Sequence, residues 1–258
     1  MDGPDDPTGQ KPAHPPRKKL PDRFTPFGAF CLDAETGHKP IRGADASEPL
    51  WLPPIRAIFI AMSDWSKRFS DARKAGYLEG QLLVATPSIG DERFARTVIY
   101  MCAHDKEHAL GLVINRKLSS VTFPQLLNQL EIKVDKPVKD IVVHSGGPVE
   151  DGRGFVLHSA DYVQESTLII SETVALTATV DILKAIALGQ GPSHSLLAIG
   201  CAGWGAGQLE HEIQMNGWLH TEADDELIFN TELSQKWSRA MSKIGVDVSM
   251  LSSDVGHA

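Results

Sequence analysis

The chain has little cysteine, little positive charge and no long apolar run, and each shortage closes off a class of protein. Its three cysteines, Cys31, Cys102 and Cys201, are an odd number, far apart and without CxxC spacing. They read as thiols in a reducing cytosol rather than as a disulfide frame. No apolar run reaches the ~20 residues that a membrane helix needs. The longest candidate, IRAIFIAM, is short and carries Arg56. A P-loop is excluded because the chain has no GK[ST] triplet. The start, MDGPDD, is acidic and proline-rich, whereas a signal or transit peptide wants basic and apolar residues there. A cytoplasmic location is the expectation.

What is present divides near Gly76. Eleven of the 16 prolines fall before Ile55, with few periodic apolar positions among them. Such a segment cannot offset its ordering entropy, so residues 1–75 are expected to be a disordered extension. Arg17–Lys19 reads as a solvated charge cluster, and WSKRFSDARKA from Trp65 as a short helix. Met62, just ahead of the domain, is a candidate internal start. Residues 76–258 form the expected domain. They hold 13 Lys and Arg against 23 Asp and Glu, a net of −10. A surface that neutralises phosphates needs clustered cations, so direct nucleic-acid binding is not expected.

From Tyr77 the chain alternates strand and helix signals. QLLVATP reads as a strand closed by Pro87, and Asp91 as the cap of a helical turn. TVIYMCA and ALGLVIN read as a hairpin around the five-residue loop HDKEH. Thr122 and Gln125 fit a capping box, with LLNQL as the helix behind it. DIVVHS, GFVLHS, STLIIS and SLLAIG read as further strands. Val180, Leu183, Ile186 and Ala187 make a helical stripe ended by Gly189. Leu233, Trp237, Met241 and Ile244 make another. Consecutive strands without intervening helices argue for a mixed sheet in an α+β fold.

The stretch IGCAGWGAGQLEHEI, a strand followed by glycines and then a helix, is the candidate site. It is not a dinucleotide fingerprint: the third glycine of G-x-G-x-x-G falls on Gln208 in one register, and the second on Ala202 in the other. Glu210 and Glu212 in the first helical turns complement the helix dipole and repel an anion. Cys201 lies where a nucleophile elbow places its nucleophile, but Ile199 stands where that motif has glycine. His104 and His108 flank a hairpin turn and are not an HExxH pair, so no metal site is expected. Gly146-Gly147-Pro148 is a second glycine turn, able to form an anion nest but better read as a tight turn.

These segments together resemble the AlgH/YqgE family of bacterial proteins. The matching stretches are GQLLVATPSIGDERFARTVIY, GLVINR, HSGGPVEDGRGFVLH, IGCAGWGAGQLEHEI, NGWLH and IGVD…GHA, in order from about Leu78 to Ala258. The resemblance implies a single α+β domain with a mixed, barrel-like sheet flanked by helices. It carries no established activity, no cofactor and no catalytic residues. One branch is labelled a transcriptional regulator of exopolysaccharide production. The expectation is a non-catalytic cytosolic binding or regulatory module with a protein or small-molecule partner; the alternative is a thiol or hydrolytic enzyme using Cys201. The binding residues expected are Gly146, Gly147, Gly203, Trp204, Gly207, Gln208 and Glu210. Trp204, Gln208 and Glu210 line one face, with Leu209 and Ile213 turned to the core.

Overall fold

The computed structural model describes residues 77–133 and 141–247. The expected disordered extension, the helix from Trp65 and Cys31 lie outside them. Among the described residues, strands β1 (Gln81–Ala85), β2 (Val98–His104), β3 (His108–Val113), β4 (Val143–Ser145), β5 (Val149–Ser159), β6 (Leu168–Ile169), β7 (Val174–Thr177), β8 (Ser195–Gly205) and β9 (Trp218–Glu222) form one curled sheet. Its order is β6-β7-β5-β8-β3-β2-β1-β9. All pairings are antiparallel except that of β4, which lies parallel to β8. The helices are α1 (Phe123–Gln129), α2 (Val180–Ala187), α3 (Gln208–Gln214) and α4 (Leu233–Ile244), with a π-turn at Glu226–Asn230. The fold is α+β with a mixed, curled sheet.

Both faces of the sheet are covered, which is why its central strands read as continuous apolar runs. Alternation assigns each residue to a side. Leu82 and Val84 of β1 join Val98 and Tyr100 of β2 in one core, against Trp237, Ala240 and Met241 of α4. Leu83 and Ala85 join Ile99 and Met101 on the opposite face, with Trp204, Leu209 and Trp218. A further cluster packs α1 and α2 onto Val143, Val156, Leu197 and Ile199.

Local signals account for several ends. Asp91 accepts the Arg93 N–H at 2.9 Å and opens a 3-10 turn at Glu92–Phe94. Both capping-box bonds of α1 are made: the Thr122 N–H donates to Gln125 Oε1 at 2.9 Å, and the Gln125 N–H to Thr122 Oγ1 at 3.4 Å. α2 ends ahead of Gly189 at φ 72°, and α4 at Gly245 at φ 86°. The buried Lys236 of α4 donates to the carbonyls of Leu227, at 2.7 Å, and Ile228, tying the helix to the π-turn. Burial pulls its ammonium down to about 8.

Several expectations need correction. The hairpin loop is three residues, since His104 and His108 end the two strands. The strand read at STLIIS shrinks to Leu168–Ile169, and β7 went unread. The largest difference concerns β8. The strand does not stop at SLLAIG but runs on through CAGWG to Gly205. Only Ala206 and Gly207 make the turn into α3.

Candidate functional site

One residue decides which way Trp204 points. Gly200 sits inside β8 with φ 75°, left-handed backbone that a side chain rarely adopts. Before it, Leu196 and Ala198 face the α4 side. After it, the odd-numbered Cys201 faces that side, and Ala202 and Trp204 face the other. Gly200 thus acts as a bulge that reverses the alternation. The pairing with β5 slips at the same place, from Ile199↔Gly154 to Cys201↔Val149.

The GGP turn is the counterpart of that bulge. A Cβ on Gly146 would strike the Gly200 carbonyl, and one on Gly147, at φ 151°, would strike the backbone of Cys201 and Ala202. A Cβ on Gly200 would lie 2.5 Å from the Gly147 oxygen. Two backbones therefore cross with no room for side chains. The Gly146 N–H donates to the Ile199 carbonyl at 2.8 Å, and its oxygen accepts from the Val113 N–H at 2.8 Å. That N–H is engaged within the fold, which removes it from an anion nest.

Beyond the crossing, Trp204 meets Trp218, the first residue of β9, edge to face at 6.0 Å. Both indoles converge on Glu212. Its Oε2 accepts the Trp204 Nε1–H at 3.0 Å and the Trp218 Nε1–H at 2.8 Å. Its Oε1 accepts the Gln208 Nε2–H at 2.9 Å. Gln208 Oε1 in turn takes the Gly205 N–H at 3.1 Å. The one-turn spacing of Gln208 and Glu212 puts them on the same helical face. Ile89, Asp91 and Phe94 from the β1–β2 connection, Pro148 and Val149 from the GGP turn, and Gly203 complete a cleft of about 30 Å³. Phe94 packs edge-on to Trp218 at 5.5 Å.

The charges in the cleft differ in their compensation. Asp91 is held below the usual carboxylate range by its hydrogen bonds from Arg93, against the opposing effect of burial. Glu212 has three neutral N–H partners, and among the described residues no Lys, Arg or His nitrogen forms an ion pair with it.

The structure brings Gly203, Trp204 and Gln208 to this cleft and sends Glu210 elsewhere. Glu210 Oε1 accepts from His104 Nε2 at 3.0 Å. The Leu78 N–H donates to His104 Nδ1 at 3.1 Å, which leaves Nε2 as the nitrogen that faces Glu210 with a proton. Trp204 is 6% exposed and is itself part of the core. Leu209 is buried and Ile213 half-buried, as their spacing requires. Gly207 is the left-handed residue ahead of α3, at φ 70°. Sequence reasoning missed Trp218 and took Glu212 only for a dipole-complementing carboxylate. Its spacing from Gln208 was the available signal.

Cys201 does not belong to the cleft. Its side chain lies in the core on the α4 side, and burial, then the charge of Glu150, push the thiol up to about 12. At neutral pH it is a protonated, weak nucleophile. Burial also raises Cys102 well above its ordinary value.

A family model described as AlgH-like matches residues 82–249, a span enclosing every residue of the cleft. The chain belongs to the AlgH-like family. A UPF0301 protein of Rhodopseudomonas palustris (strain BisB18) is 54% identical over 203 residues, covering 76% of this chain and 95% of the relative. Another, of Nitrobacter hamburgensis, is 55% identical over 190 residues, covering 70% and 88%. Among solved structures, the AlgH protein of Pseudomonas aeruginosa is similar at 40% identity and a TM-score of 0.60, with 72% of this chain and 98% of that one covered. A protein of Corynebacterium diphtheriae matches at 20% identity and a TM-score of 0.50, covering 67% and 91%; this likeness concerns the fold alone.

Proposed function

We propose that this AlgH-like chain is a non-catalytic cytoplasmic binding module whose recognition surface is the Trp204–Glu212 cleft. One observation carries the reading: three segments far apart in sequence, around Phe94, Pro148 and Trp204, converge on it. Its polar groups are arranged for recognition rather than reaction. Glu212 accepts from indoles and an amide, none of which is a nucleophile it could activate. The buried, raised thiol of Cys201 weighs against the enzymatic alternative. On this reading, regulation of transcription, the label of one family branch, is indirect, and the working unit is residues 76–258 with 1–75 as an extension. The net charge of −10 on that unit supports the absence of direct DNA contact.

The test is rescue of a deletion strain. Gly205→Val and Gln208→Ala are expected to fold and to fail in rescue, and Cys201→Ser to restore the wild-type phenotype. Rescue by both cleft variants with failure of Cys201→Ser would reverse the assignment in favour of thiol chemistry.

A further inference from the structure

The cleft reading leaves the ligand open, and three features of its rim constrain the chemistry. The first is charge. Glu212 is oriented by three hydrogen bonds from neutral donors, which fix the carboxylate without neutralising it. A half-buried carboxylate whose partners are all neutral keeps its charge and is a site for a cation. The acidic balance of residues 76–258 acts in the same direction at longer range.

The second feature is an excess of glycine. Gly203 and Gly205 are exposed, and neither has a left-handed φ. A Cβ on Gly203 would meet nothing nearer than Val149 at 3.8 Å, and one on Gly205 would meet nothing within 4 Å. Neither the backbone nor the packing of this chain requires glycine there. A strand glycine without an internal reason suits close approach by another backbone.

The third is an open edge. β8 pairs with β3 as far as Gly205, whereas its pairing with β5 stops at Cys201. Among the described residues no strand covers the β5-side edge from Ala202 to Gly205, where a side chain, Gln208, takes the Gly205 N–H. That edge borders the cleft through Gly203. A cleft of about 30 Å³ is far below the ~300–1,000 Å³ of a small-molecule pocket, so it does not enclose a whole metabolite.

We propose that an extended segment of a partner protein lies along the open edge of β8 and inserts a basic side chain, with arginine favoured, beside the Glu212 carboxylate. Strand addition supplies main-chain bonds, and one pocketed side chain supplies specificity. A planar guanidinium presents a fork of donors matched to a carboxylate, and its flat shape suits a shallow cleft. The proposal rests on the cleft being the recognition surface.

The experiment uses full-length ¹⁵N-labelled protein and two capped tripeptides, acetyl-Ala-Arg-Ala-amide and its neutral citrulline counterpart. The indole N–H signals of Trp204 and Trp218 are the reporters. Trp237, whose Nε1–H donates to the Ala85 carbonyl, is the internal control. The arginine peptide is expected to shift the two reporters and not the control, and the citrulline peptide to bind at least about tenfold more weakly. Glu212→Gln, which keeps an acceptor oxygen and removes the charge, is expected to erase that preference. Gly205→Val, whose fold has space for the side chain, is expected to abolish the shifts with an unchanged melting temperature. Equal binding of both peptides, or an undiminished preference in Glu212→Gln, would overturn the proposal. The rescue assay separates the two levels. No arginine preference while Gly205→Val still fails in rescue means a cleft with another ligand; full rescue by Gly205→Val means that the cleft is not the recognition surface.

Discussion

The two glycine clusters look alike in sequence and do opposite things in the fold. At Gly146, Gly147 and Gly200 the missing side chains are filled by another backbone. At Gly203 and Gly205 they are filled by nothing within the chain. The first cluster is architecture: it lets the GGP turn cross β8 and sets the bulge that points Trp204 away from the α4 side. The second leaves an open strand edge beside a carboxylate. A glycine is informative only when its surroundings show what its lack of a side chain permits.

Alanine substitution is the most direct way to break this comparison. Gly147→Ala forces a Cβ into the backbone of Cys201 and Ala202, neither of which is the end of a flexible side chain. The expected loss is about 4 kcal/mol or more, a large share of a domain's ~5–15 kcal/mol. Denaturant unfolding measures it, and a loss below about 1 kcal/mol would mean that the crossing is looser than described.

Glu212→Ala probes the region between the clusters. It strips the acceptor from two indole N–H groups, in residues 6% and 1% exposed. A cost of about 2–6 kcal/mol is expected, because each of the two buried donors left unsatisfied costs about 1–3. Glu210→Gln, on an exposed carboxylate bound to His104, should cost at most about 1. Equal losses in the two variants would erase the distinction between these carboxylates.

The β4 strand that leads into the GGP turn adds a pH dependence. The buried His144 donates from Nδ1 to the Leu197 carbonyl at 3.1 Å, and burial lowers its pKa to about 4. The unfolded chain, with an ordinary value near ~6.5, binds the proton first. This contribution is intact above about pH 6.5 and lost progressively as pH falls toward 4. Between about pH 7.5 and 5 the wild type should lose about 2 kcal/mol that His144→Asn does not lose. Parallel pH profiles of the two proteins would show that the site does not disfavour the proton.

The smallest expected effect has the opposite sign. Gly205→Ala meets open space at an ordinary φ, so it should leave stability within about 0.5 kcal/mol or raise it slightly, by reducing the freedom of the unfolded chain. A destabilisation above about 1 kcal/mol would place Gly205 with the architectural glycines.

Much of the fold was legible in local sequence. The capping box at Thr122, the stripe from Leu233 to Ile244 and the glycine stop at Gly189 are short-range signals, and they appear where expected. The site was legible in part. Trp204 and Gln208 meet, but through Glu212, and the partner indole of Trp218 comes from another strand. Spacing could tell that Gln208 and Glu210 lie on different faces of a helix; it could not tell which face meets an indole.

The sequence by itself determined the α+β class, most elements and the family, because these rest on hydrophobic period, caps and turn chemistry within a few residues of each other. Only the tertiary structure decided that β8 continues past Gly200, since its last pairings, Gly111↔Ala202 to His108↔Gly205, are supplied by a strand about a hundred residues earlier. It alone decided which glycines are crowded and which are open. A crossing of two backbones is a contact between distant segments, and no local pattern records the space left between them.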